Sequence, residues 1–193
     1  MVISSSNSYS KVNPDVVDIS SANKTNLKRL THNGQIQIYQ SSYRGSYTSI
    51  VKDSLRNAAL GRKVLLVQFM KGGVKQGIAN TVKLCGNLTW VRSSLSFDQY
   101  HSEEIENNQN LKNSIHESIY ELWDSCKKEL LSGEKDQIIL DEIFLAIKMK
   151  IIDKDDLIST LENRFISGDV ILTGTCIPKD LLLMANQITE LRS

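Results

Sequence analysis

The stretch Gly34–Phe69, GQIQIYQSSYRGSYTSIVKDSLRNAALGRKVLLVQF, decides the fold. Ile36, Ile38 and Tyr39 predict a first strand ending near Gln40. Small and polar residues follow, from Ser41 to Tyr47. Ile50, Val51, Leu55, Ala58 and Ala59 then fall on one face of a helix, and Gly61 is its stop. Lys63–Phe69 is a near-continuous apolar run, the pattern of a strand buried on both faces. Strand, loop, helix and buried strand make a βαβ unit, which implies a parallel sheet.

The same alternation continues toward the C-terminus. Leu88–Val91 is a short strand candidate. Leu111, Ile115, Ile119, Leu122, Cys126 and Leu130 recur every three or four residues, an amphipathic helix stripe. Gln137–Leu140 reads as a second buried strand, closed by Asp141 and Glu142, and Ile143–Met149 as helical. Asp153 is placed to cap a helix running to about Asn163. Val170–Thr173 is a third buried strand ended by Gly174. Pro178 suits the first turn of a helix over Leu181–Ala185, and Ile188–Leu191 a last strand. The expectation is one doubly wound α/β domain over residues 34–193, with its ligands at the carboxyl ends of the strands. Residues 1–33 differ: seven Ser, five Asn and little apolar periodicity read as a polar arm, either flexible or ordering over a ligand.

Composition narrows the function classes. The chain has 193 residues, about one domain with an arm. Its formal charge, 23 basic less 22 acidic, is +1, which argues against a broad nucleic-acid footprint. Apolar runs such as Leu181–Ala185 and Val64–Val67 are far short of the roughly 20 residues that span a membrane. The first residues lack an apolar signal core. Cys85, Cys126 and Cys176 form no C-x-x-C, as in a reducing cytosol. A cytoplasmic protein is expected. His32, His101 and His116 have no metal-ligand spacing.

Two places carry chemistry. A short loop between a strand and a helix can present backbone N–H groups to phosphate oxygens, although Ser41–Tyr47 is not a Walker A match and also reads as an ordinary connection. Asp141 and Glu142, at the end of a buried strand, read either as Mg²⁺-holding carboxylates or as helix caps.

Four segments together resemble the P-loop type of ATP:corrinoid adenosyltransferase. Residues 67–73, VQFMKGG, are similar to that family's V-Q-F-x-K-G, and 138–143, IILDEI, to its V-V-L-D-E. Residues 170–174, VILTG, with Pro178 resemble V-I-L-T-G-R-x-x-P, and 189–192, TELR, the terminal T-E-L/M-R. The order and separations match across residues 34–193. The resemblance implies a P-loop NTPase (RecA-like) fold, a three-layer, mostly parallel sheet. It also implies transfer of the 5′-deoxyadenosyl group of ATP to Co(I) of a corrinoid, cobalamin or a precursor, with Mg²⁺ as cofactor. Cobalt is then the nucleophile, and no protein catalytic triad is needed. An electron-donor protein and a second copy of the chain are the partners it suggests.

Carried onto this chain, the family's G-N-G-K-G-K-T-T covers Ser41–Thr48. Gly45 and Thr48 are identical and Arg44 keeps a positive charge, but Ser41 and Tyr43 replace glycines. Ser46 stands where the phosphate lysine belongs, and Tyr47 where the Mg²⁺-binding threonine belongs. On this placement Ser42, Tyr43, Arg44, Gly45, Ser46, Tyr47 and Thr48 wrap the phosphates, and Arg56 sits near the base. Lys71 is a spare cation for the triphosphate. Glu142, with Asp141 and the Thr48 hydroxyl, holds Mg²⁺. Phe97 and Gln68 border the corrinoid. Thr175 replaces the T-G-R arginine. Loss of one lysine–phosphate contact costs about 1.5–3 kcal/mol. Three readings stay open: an active adenosyltransferase, a catalytically impaired homologue that binds corrinoid or nucleotide, and an interaction protein with no small ligand.

Overall fold

The computed structural model describes residues 33–43, 47–73, 75–95 and 108–191. Most of the polar arm, Arg44, Gly45, Ser46 and Phe97 therefore lie outside the described residues. Seven strands form one sheet: β1 (Ile36–Ser41), β2 (Val64–Gly72), β3 (Val82–Leu84), β4 (Leu88–Ser93), β5 (Gln137–Asp141), β6 (Asp169–Gly174) and β7 (Gln187–Leu191). Among the described residues five α-helices accompany them: α1 (Thr48–Ala59), α2 (Gln109–Ser132), α3 (Ile143–Lys148), α4 (Lys154–Glu162) and α5 (Lys179–Met184). The order across the sheet is β3-β4-β2-β5-β6-β1-β7. Every pairing is parallel except β3 with β4.

The side-chain alternation of β2 shows how the layers form. Val64 and Leu66 pack with Ile50 and Ala58 of α1, while Leu65, Val67 and Phe69 pack with α2 and its neighbours. Each such fully buried aliphatic or aromatic side chain contributes about 1.5–3 kcal/mol of transfer free energy. Helix α2 follows the predicted stripe, with Ile115, Ile119, Leu122, Cys126 and Leu130 buried. The Asn108 side chain caps it by accepting from Leu111 N, and Gly133, at φ 71°, ends it. The Asp153 cap on α4 is present, its carboxylate accepting from Asp155 N.

Two expectations change. Strand β3 and its hairpin to β4 were not foreseen from the sequence. Pro178 stands at the N-cap of α5 rather than inside its first turn. No helix among the described residues is long and apolar enough to cross a membrane.

Candidate functional site at the carboxyl edge

The period-two alternation of the strands puts one row of polar side chains on the α1 face, where the strands end. Gln68 on β2 is in register with Arg92 on β4 and with Asp141 on β5. Thr173 lies one strand further, on β6. The row is hydrogen-bonded from end to end. Arg92 Nε donates to Gln68 Oε1 at 2.8 Å, and Gln68 Nε2 donates to Asp141 Oδ2 at 2.6 Å. Thr173 Oγ1 donates to Asp141 Oδ1 at 2.9 Å. Trp90 Nε1 also donates to Gln68 Oε1, and the Arg92 guanidinium stacks 4.2 Å above the Trp90 ring. Burial lowers the Arg92 pKa, and Asp141 opposes that shift.

Asp141 is the hub of this row. It is 2% exposed, and both carboxylate oxygens are occupied. Lys71 Nζ adds an ion pair to Oδ2 at 3.2 Å. A buried carboxylate needs this compensation, because desolvating an unpaired charge is costly. Lys71, expected as a spare cation, is thus engaged within the protein. Gln68, expected beside the corrinoid, is buried with its amide spent on Asp141, Trp90 and Arg92.

Glu142 follows in the left-handed conformation, φ 60° and ψ 27°, and is also buried. Its backbone N–H donates to Thr173 Oγ1 at 2.8 Å. Glu142 stands at the N-cap position of α3 without a side-chain capping hydrogen bond, and the Asp141 carboxylate turns back into the sheet. A non-glycine residue held at positive φ, immediately after a buried strand, marks backbone strain of the kind found at functional sites.

Tyr47 stands at the N-cap position of α1, and its side chain makes no capping hydrogen bond. Its ring is 2% exposed and packs with Ile50, Ile139 and Ile171. Its hydroxyl faces the backbone of Ser41 and Gly174 without closing a full hydrogen bond. Burial, and then the charges of Glu142 and Asp141, push its pKa up to about 12, so the phenol stays protonated. Ser41 is buried, whereas Ser42, Tyr43 and Thr48 are exposed beside it. Arg56 lies roughly 12 Å along the helix from Thr48. It is 73% exposed and pairs with Asp53 at 3.7 Å.

The structure therefore brings Tyr47, Gln68, Lys71, Asp141 and Glu142 to one edge and adds Thr173, Arg92 and Trp90, which sequence reasoning missed. The available signals were slight: one hydroxyl in an otherwise apolar strand, and a Trp-x-Arg pair in a short one.

Among the described residues, Asp141 and the Tyr47 position do not fit Mg²⁺, which leaves Glu142, a buried carboxylate, and the exposed Thr48 as the remaining expected donors. Both Asp141 oxygens already accept hydrogen bonds, one of them also paired with an ammonium. The position of the expected threonine ligand holds a buried, protonated phenol.

A larger cavity of about 650 Å³ lies elsewhere, lined by Tyr120, Lys127, Lys150, Lys154 and others. Two of its lysines are committed, Lys127 to Asp156 and Lys154 to Asp180.

Fold and edge together define a mostly parallel α/β protein with a hydrogen-bonded row of polar side chains where its strands end. Residues 32–193 match the family model of ATP:corrinoid adenosyltransferase BtuR/CobO/CobP, and the chain belongs to that family. The corrinoid adenosyltransferase of Escherichia coli K12 is 25% identical over 160 residues, 82% of this chain and 76% of that protein. Corrinoid adenosyltransferase CobA of Salmonella typhimurium LT2 is 24% identical over 159 residues, again 82% and 76%.

Proposed function

We propose that this chain transfers the 5′-deoxyadenosyl group of ATP to the Co(I) centre of a corrinoid, and that it does so at the carboxyl edge. The family match across residues 32–193 carries this reading. The strand order, with β6 between β1 and β5, supports a RecA-like P-loop fold. Co(I) attacks the ribose C5′, the C5′–O bond breaks and triphosphate leaves. The protein's task is to align the two substrates and to stabilise the leaving charge. The start of α1, residues 42–48, and Arg92 with Lys71 at the strand ends are the groups proposed to meet the triphosphate. Phe97 is proposed to border the corrinoid and Arg56 the base. Among the described residues neither Asp141 nor Tyr47 suits Mg²⁺, and no step passes through it. The proposed setting is the cytoplasm, with an electron-donor protein supplying the electron that reduces the corrinoid cobalt to Co(I). A homodimer is compatible with it.

One observation favours the alternative, a homologue that binds without turnover: a buried Tyr47 stands where the family's threonine belongs, and the spare cation Lys71 is paired with Asp141. An anaerobic assay with ATP and chemically reduced cobalamin separates the two readings. Co–C bond formation, followed by its light-sensitive absorbance, is expected above a no-protein control. Absence of product from folded protein would leave the binding protein.

A further inference from the structure

We infer that the Tyr47 side chain occupies the place of the divalent cation, so that this chain takes its nucleotide without a metal ion. The inference rests on the proposal that ATP binds at the carboxyl edge. It deepens that proposal by specifying the ionic form of the ligand.

Three observations converge on it. The Tyr47 ring is built into the core between α1 and the sheet, against Ile50, Ile139 and Ile171. Moving it aside to admit a hydrated cation would open a cavity in packed structure. Its hydroxyl sits at the ends of β1 and β6, near the Ser41 and Gly174 backbone and within electrostatic reach of Glu142 and Asp141. A protonated phenol is a poor Mg²⁺ ligand, since Mg²⁺ favours carboxylate, phosphate and water oxygens in strict octahedral geometry. Finally, the Asp141 charge is already answered from within, by Lys71, Gln68 and Thr173. The edge holds no unanswered charge at Asp141 for a cation to neutralise. The anionic ligand must then be met by protein donors, and Mg²⁺ complexed to ATP in solution brings no added contact.

The test compares native protein with Glu142→Gln for retention of Mn²⁺, read as loss of the free-Mn²⁺ paramagnetic resonance signal, with and without ATP. Equal retention by the two proteins is expected in both conditions. A full equivalent held by native protein and lost in Glu142→Gln would overturn the inference. In parallel, ATP affinity is measured by calorimetry in excess Mg²⁺ and in EDTA. Affinity in EDTA equal to or higher than in Mg²⁺ supports the inference, and about tenfold tighter binding in Mg²⁺ refutes it. ATP binding in neither buffer would sink the proposed function, while the ATP-free Mn²⁺ comparison still decides the metal question. Tyr47→Thr, checked for folding by its melting transition, is expected to gain Mn²⁺ retention that Glu142→Gln then removes.

Discussion

At the scale of single residues, Tyr47 is the most informative position. Its hydroxyl is buried without a completed hydrogen bond, and such a group costs about 1–3 kcal/mol. Tyr47→Phe keeps the ring packing and removes the hydroxyl, so at neutral pH it is expected to equal or exceed native stability. The pH dependence follows from the same burial. A phenol whose pKa rises from 10.0 to about 12 on folding favours the folded state only while protonated. Below about pH 10 both states hold the proton; between about pH 10 and 12 only the folded state does. Stability is therefore lost as pH rises through that window, by at most about 2–3 kcal/mol. Urea unfolding at neutral and alkaline pH should show this loss in native protein and its absence in Tyr47→Phe. An identical alkaline slope in both proteins would refute the assignment. Asp141 and Glu142 were legible as a strand-end acidic pair. The partners of Asp141 were not, because Thr173 and Gln68 meet it only through strand register, and a single sequence does not reveal which strands are neighbours.

At the scale of elements, the long periodic segments were readable because burial forces their spacing. Strand β2 with seven buried residues in a row, and the α2 stripe, are cases where local pattern and tertiary role agree. Strand β3 was missed because three residues, two of them exposed, carry no period. Its existence depends on antiparallel pairing with β4, a contact made in space. The irregularity in β2 between Gln68 and Gly72 was equally hidden. Gly72 shows what it requires: a Cβ there would stand 2.1 Å from the Leu95 carbonyl oxygen and 2.6 Å from that of Ser93. Backbone atoms cannot yield to such a contact as a flexible side chain would. Gly72→Ala is expected to destabilise the protein by more than about 2 kcal/mol and to weaken ligand binding through the displaced end of β2. Unaltered denaturant unfolding would contradict this account of the strand end.

At the scale of the whole molecule, the sheet works as a register device. Four strands bring Arg92, Gln68, Asp141 and Thr173 into one hydrogen-bonded row, and α1 begins beside it. The row answers the Asp141 charge from within the protein. The α/β fold class, six of the seven strands and the family resemblance were legible in the amino-acid sequence. The hydrogen-bonded row was not, because it arises from side chains far apart in the chain: Gln68 and Asp141 are 73 residues apart, and Asp141 and Thr173 are 32 apart.

The central claim is that ATP binds at this edge, and hydrogen exchange of the full chain with and without ATP tests it most directly. Slowed exchange is expected in peptides covering the start of α1, the end of β2, residues 141–143 and the end of β6. No change on adding ATP, or protection confined to the lysine-lined cavity around Lys127 and Lys150, would contradict it.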